Sequence, residues 1–272
     1  SAAEFLDDYF ENDLIKAKKH LGQHFLNDAS ICQRIVASIA LEKSRNVLEI
    51  GPGTGALTKW LIEEKKIQSL YLMDVDQESI AYLHQVYPEL SERILFADFL
   101  HYNIDEFLNN EPFNVVGNFP YNISSQILFR CLDFKDRIPE IVGMFQREVA
   151  QRIAQGPGNK QYGILSVFMQ AYYDIEYLFT VDEDVFDPPP KVKSGVIRCV
   201  RNTRKKLPCD EKLFKLVVKT AFNQRRKTMR NSLKSLLGTT VLPEKFSGER
   251  PEQCSVEDFI ELTNLIQGNR TA

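Results

Sequence analysis

Short apolar runs rich in β-branched and aromatic residues recur along the chain: NVLEI (46–50), SLYLMDV (69–75), RILFAD (93–98), FNVVGN (113–118) and EIVGMFQ (140–146). Helix-length intervals separate most of them, and strands alternating with helices predict a parallel sheet covered on both faces. Two further runs, YDIEYLFTV (173–181) and SGVIRCV (194–200), have only a Pro-rich stretch containing FDPPPKVK between them. No crossover helix fits there, so these two are expected as antiparallel neighbours at one end of the sheet. The expected sheet has seven strands, one of them reversed.

Beyond Val200 the texture changes. RNTRKKLP reads as a linker, and DEKLFKLVVKTAF follows with apolar residues at Leu213, Phe214, Leu216, Val217, Val218, Ala221 and Phe222, the stripe of an amphipathic helix. EDFIELTNLIQ (257–267) has the same character, so a small helical domain is expected to close the chain.

Composition narrows the class. The chain has 272 residues, 43% of them hydrophobic, enough for a sizeable core. No run approaches the roughly 18 consecutive apolar residues of a membrane helix, and the opening AAEFLDDYFEND is acidic where a secretory signal is basic and then apolar. A soluble cytoplasmic protein without a membrane partner is expected. The five cysteines (Cys32, Cys131, Cys199, Cys209, Cys254) are scattered, as for reduced thiols. His20 and His24 share a helical spacing but have no acidic or cysteine ligand beside them, so no metal is expected.

Charge is uneven. Residues 1–180 carry 16 Lys and Arg against 25 Asp and Glu, whereas residues 181–272 carry 18 against 12. Between Pro188 and Leu236 there are 15 basic residues and only Asp210 and Glu211 as acids. Such asymmetry fits a polyanion-binding surface beside an acidic domain, although a solvated basic helix would look the same.

LEIGPGTGALT places Gly51, Gly53 and Gly55 directly after the first strand and before a helix. A turn of this kind brings backbone amides and a helix amino terminus against a ligand. Gly51, Gly53 and Ala56 also satisfy the loose dinucleotide fingerprint, so the loop alone specifies an adenosine-bearing cofactor and not which one. Asp74, at the end of the second strand, stands where a carboxylate accepts hydrogen bonds from ribose hydroxyls. Asp98 ends the third strand and either meets the cofactor's adenine or caps the segment that follows.

The fourth strand ends in GNFPY, at the same sheet edge. The exocyclic amine of a nucleobase is a poor nucleophile because its lone pair is delocalised into the ring. Two acceptors on its N–H bonds draw it toward tetrahedral geometry, and the Asn118 side-chain oxygen with the Phe119 carbonyl would supply them. Pro120 biases Phe119 toward an extended backbone, and Tyr121 offers a face on which a flipped-out base stacks. Oriented dipoles would stabilise positive charge arriving from a sulfonium, with no general base required.

Together with KKHLGQHFL (18–26), EIGPGTG (49–55), DVD (74–76), GNFPYNIS (117–124), VFDPPPKVKS (185–194) and FNQRRKTMRNSL (222–233), this chain resembles the ribosomal RNA adenine dimethyltransferases. The resemblance covers roughly residues 16–265. It implies a Rossmann-like class I methyltransferase domain over 16–202, a helical RNA-binding domain over 203–272 and an extension over 1–15. It further implies a monomer that uses S-adenosylmethionine, releasing S-adenosylhomocysteine. The substrate would be two adjacent adenosines in the 3′-terminal hairpin loop of small-subunit rRNA, met within an immature small ribosomal subunit. By position, His24, Leu26, Gly51, Gly53, Asp74, Asp98 and Asn118 would line the cofactor site. Asn118 and Tyr121 would hold the target base, Phe186 would stack on its other face, and Arg225, Arg226, Lys227 and Arg230 would grip rRNA phosphates; apart from the resemblance, Phe186 could equally be a core aromatic at a strand end. One of the adjacent arginines could pair instead with the acidic main domain. The family often has Glu where Asp74 stands.

The macrolide-resistance dimethyltransferases, which act on large-subunit rRNA, share similar motifs, but LGQHFL and RRKTMRNSL look more like the small-subunit enzymes. A non-catalytic binding module is disfavoured because every catalytic position is filled. A nicotinamide dehydrogenase would leave NFPY and the basic segment without a purpose.

Overall fold

The computed structural model describes residues 24–271, with side chains through residue 268. The extension at 1–15, His20 and the start of KKHLGQHFL lie outside the described residues. The chain divides into two compact units, one running to Ala150 and resuming at Asp174–Arg201, the other comprising Gln151–Tyr173 and Asn202–Ala272. Residues 151–173, expected within the main domain, thus group with the carboxyl-terminal helices.

The first unit is built on a seven-stranded sheet of β2 (Asn46–Ile50), β3 (Ser69–Asp74), β4 (Ile94–Phe96), β5 (Asn114–Asn118), β6 (Glu140–Gln146), β7 (Tyr173–Val181) and β9 (Ser194–Arg201). Their spatial order is β4-β3-β2-β5-β6-β9-β7. The pairs from β4 to β6 are parallel, and β9 runs antiparallel to β6 with Gln146 opposite Ser194. The central strands are apolar at their middles, as burial on both faces requires: Val47, Leu48, Val115, Val116, Ile141 and Val142 are all completely buried.

Helices α1 (Ala29–Ala37), α2 (Thr58–Glu63), α3 (Gln77–Val86) and α4 (Ser124–Asp133) belong to this unit, and α5 (Arg147–Ala154) begins in it. The Asp28 side chain caps α1 by accepting the Ile31 N–H at 3.2 Å. Past the end of α1, the amides of Ala40 (2.8 Å) and Leu41 (3.0 Å) donate to the carboxylate of Glu140, which satisfies both a buried charge and two orphan donors.

A second, two-stranded ribbon pairs β1 (Phe25–Leu26) antiparallel with β8 (Phe186–Asp187), Leu26 standing opposite Phe186. It joins the amino-terminal motif to the proline-rich one, and Asn27 N–H extends it by donating to the Val185 carbonyl at 2.8 Å.

In the second unit, α6 (Ile164–Tyr172) and α7 (Glu211–Asn223) pack together, with α11 (Val256–Thr271) against α7. Short helices α8 (Met229–Ser232), α9 (Lys234–Leu237) and α10 (Glu244–Ser247) complete it. The stripe read from the sequence is buried on α7 at Leu213, Phe214, Val217, Val218, Ala221 and Phe222, while Leu216 is exposed. Aromatic side chains knit these helices: Phe168 meets Phe214, and Phe222 meets Phe259, at centroid distances of 6.2 and 5.8 Å.

Candidate active site

The carboxyl ends of β2, β3 and β5 open on one cleft, lined by His24, Phe25, Leu26, Glu49, the 50–54 loop, Asp74, Val75, Asp98 and Asn118–Tyr121, among others. Sheets of this kind bind ligands at that edge. Of the residues singled out for cofactor and base, all but Phe186 line this cleft.

The glycine loop is held open by its own chemistry. Gly51 and Gly53 have φ of +69° and +56°, a region that disfavours side chains. A Cβ on Gly53 would also stand 3.1 Å from the ring of Phe25. Asp74 then fixes the loop: one carboxylate oxygen accepts the Gly53 N–H at 2.9 Å, and the other accepts the Asp76 N–H at 2.9 Å. Burial pushes the Asp74 carboxyl up, and these two amides pull it back toward the ionised form.

Glu49, two residues before Gly51, is 1% exposed and also lines the cleft. The hydroxyl of Thr58, the first residue of α2, donates to it, so strand end and helix start are tied across the loop. Burial raises the Glu49 carboxyl to about 8, against a smaller downward pull from Thr58. Sequence reading assigned it no role. The signal was a charged residue inside an otherwise apolar strand.

Asn118 ends β5, and its side-chain amide nitrogen donates to the His24 backbone carbonyl at 3.0 Å. A carbonyl only accepts, so this bond sets the amide's orientation and leaves Oδ1 as its acceptor. His24 is itself held, donating from Nδ1 to the Pro188 carbonyl at 2.7 Å.

The ring of Phe119 is 1% exposed and packs against Phe145 at 5.2 Å between centroids. It fills the space where a Cβ on Gly143 would lie, so β6 needs glycine there. Phe119 therefore contributes to the site through its backbone. Tyr121 is half-buried, its hydroxyl bonded to Ser194 Oγ at 2.5 Å and its ring 5.4 Å from that of His24. Burial raises its phenol above the usual value.

At two residues the structure decides between the readings the sequence left open. Asp98 accepts the Leu100 N–H at 3.0 Å, so it caps the following turn while also lining the cleft. Phe186 is 4% exposed and belongs to the apolar core that includes Leu26, Phe179 and Val181; as the β8 partner of Leu26 it presents no ring face to the cleft.

In the helical unit, Arg226, Lys227 and Arg230 are exposed. Arg225 is used internally: its guanidinium donates to the carbonyls of Lys160 (2.7 Å) and Tyr162 and lies 3.5 Å from the Glu252 carboxylate. Of the two adjacent arginines, Arg225 is thus the one taken up by structure, and its partners lie within its own unit. Among the described residues, no group of three or more His, Cys, Asp and Glu is placed to hold a metal ion, and no helix is long and apolar enough to cross a membrane.

This sheet order, with a glycine loop after β2 and the NFPY segment after β5, defines a class I methyltransferase fold. Among solved structures, a dimethyladenosine transferase from Plasmodium falciparum has a TM-score of 0.75 at 21% identity, covering 91% of this chain and 98% of that one. The 23S rRNA methyltransferase ErmE has a TM-score of 0.68 at 24% identity, covering 89% and 99%. At these identities they speak for the fold alone. The sequence profile described as ribosomal RNA adenine dimethylase matches residues 14–267, and the chain belongs to that family of S-adenosylmethionine-dependent methyltransferases. A Flavobacterium johnsoniae protein named ribosomal RNA small subunit methyltransferase A is 56% identical over 256 residues, 94% of this chain and 97% of that protein. One of the same name from Porphyromonas gingivalis is also 56% identical, covering 93% and 98%.

Proposed function

We propose that this protein dimethylates the exocyclic amines of two adjacent adenosines in the 3′-terminal hairpin loop of small-subunit (16S) rRNA, within an immature small ribosomal subunit. The observation that carries the chemistry is the fixed amide of Asn118. Held by the His24 carbonyl, it offers Oδ1 to a substrate N–H at the edge where the glycine loop opens. The small-subunit assignment rests on the relatives at 56% identity.

The cleft fits S-adenosylmethionine in its donor set. Asp74 spends one lone pair of each oxygen on the amides of Gly53 and Asp76, leaving acceptor capacity for ribose hydroxyls. Val75, 58% exposed on the lining, gives an adenine an apolar flank. The carboxylates of Asp74 and Asp98 suit a cationic ligand. When bound, the cofactor supplies an electrophilic methyl on a sulfonium. Asn118 Oδ1 and the Phe119 carbonyl accept the two N–H bonds of the adenosine amine, localise its lone pair and stabilise the positive charge that reaches the nitrogen. The proton then passes to solvent, so no side chain needs to act as a base. Tyr121 stacks on the extruded base, and Arg226, Lys227 and Arg230 meet phosphates in the helical unit.

The test is methyl incorporation from labelled S-adenosylmethionine into small and large subunits from a strain lacking the modification, read by nucleoside mass spectrometry. Dimethyladenosine only in the small subunit, approaching two residues per particle, is expected. Label in the large subunit alone would make the protein a resistance-type enzyme.

A further inference from the structure

Tyr121 lies on the loop that follows β5, and such a side chain can swing about two torsions unless something holds it. Its hydroxyl shares a 2.5 Å hydrogen bond with Ser194. Ser194 is completely buried and is the first residue of β9, paired in register with Gln146 at the carboxyl end of β6. The amide of the next residue after Gln146, Arg147, donates to the Lys193 carbonyl at 2.9 Å and extends that pairing. The hydroxyl therefore reaches Tyr121 from the rigid sheet. On the loop side, His24 packs its ring against Tyr121 at 5.4 Å, and His24 is fixed by Pro188 and by Asn118.

This arrangement also decides what the tyrosine hydroxyl does. Committed to Ser194, it anchors the ring, and the ring's apolar face is what remains to meet a base. We propose that Ser194 is a positioning residue for methyl transfer: its hydroxyl locks the Tyr121 ring in the orientation that stacks on the target adenine. The inference rests on the adenine-methylating reading above.

Ser194 is buried and does not line the cleft, so its effect must pass through Tyr121. The experiment is a double-mutant cycle of Ser194→Ala, Tyr121→Phe and the double variant in the subunit methylation assay. Rates are taken per cofactor-binding site, counted by calorimetric titration, so that misfolded protein does not enter. Each single change is expected to lower kcat by about tenfold with KM for the subunit unchanged, and the double variant is expected to be no slower than Tyr121→Phe alone. Wild-type kcat in Ser194→Ala, or effects that multiply in the double variant, would overturn the proposal. Should Ser194→Ala fail to bind cofactor, Tyr121→Phe removes the same bond from the other end, and full activity there would equally overturn it. Wild-type protein runs alongside; its failure to methylate would count against the functional reading instead.

Discussion

The carboxylate of Asp74 accepts the backbone N–H of Gly53 at 2.9 Å, so the residue expected to read the cofactor's ribose also shapes the glycine loop beside it. Asp74→Asn keeps the size of the side chain but leaves one acceptor oxygen where two amides now bond. With charge-assisted bonds worth about 1.5–3 kcal/mol, the affinity for S-adenosylmethionine should fall about ten- to hundredfold by calorimetric titration. A dissociation constant within twofold of wild type would contradict this reading of the loop.

Glu49 gives a pH dependence with a definite sign. Its folded-state value of about 8 lies above the unfolded value near 4.5, so between them the folded protein holds a proton that the unfolded chain has released. The contribution is fully present below about pH 4.5 and is lost as pH rises through about 8, at roughly 1.4 kcal/mol per pH unit. Glu49→Gln keeps an acceptor for Thr58 and removes the titration. Denaturant melts at pH 5 and pH 8 should show wild type losing more stability than the variant across that interval. Equal losses would mean that Glu49 is ionised when folded.

The basic cluster separates into Arg225, which is used internally, and the exposed Arg226, Lys227 and Arg230, which we propose meet RNA. Arg225→Met should destabilise the helical unit by about 1–2 kcal/mol, since it orphans the Lys160 and Tyr162 carbonyls. Arg226→Glu with Lys227→Glu should leave melting unchanged, weaken subunit binding and flatten its salt dependence, by about one unit of slope for each phosphate no longer neutralised. A filter-binding salt titration checks this. Unchanged binding in the double variant would move the RNA surface elsewhere.

Much of this was legible because the governing signals are local. The strands at 46–50, 140–146 and 173–181 have the bounds their apolar runs predict, and the glycine loop, Asp74 and Asn118 converge because all stand at strand carboxyl ends. The β1–β8 ribbon was not legible: two-residue strands carry no periodicity, and their partners are some 160 residues apart. Phe186 reads as a base-stacking aromatic from its motif, and only the pairing with Leu26 shows its ring buried. Arg225 cannot be told from Arg226 in sequence, since the distinction lies in carbonyls more than 60 residues away. The grouping of 151–173 with the carboxyl-terminal helices is likewise a long-range matter, set by contacts such as Tyr162 Oη donating to the Cys254 carbonyl at 2.6 Å.

The central claim is that an oriented amide at Asn118, with no base or metal, makes the adenine amine nucleophilic. Single-turnover methylation of small subunits by Asn118→Ala, with cofactor affinity measured in parallel, tests it most directly. Loss of methyl transfer with the cofactor dissociation constant within about tenfold of wild type is the predicted result. Full turnover by that variant would contradict the account.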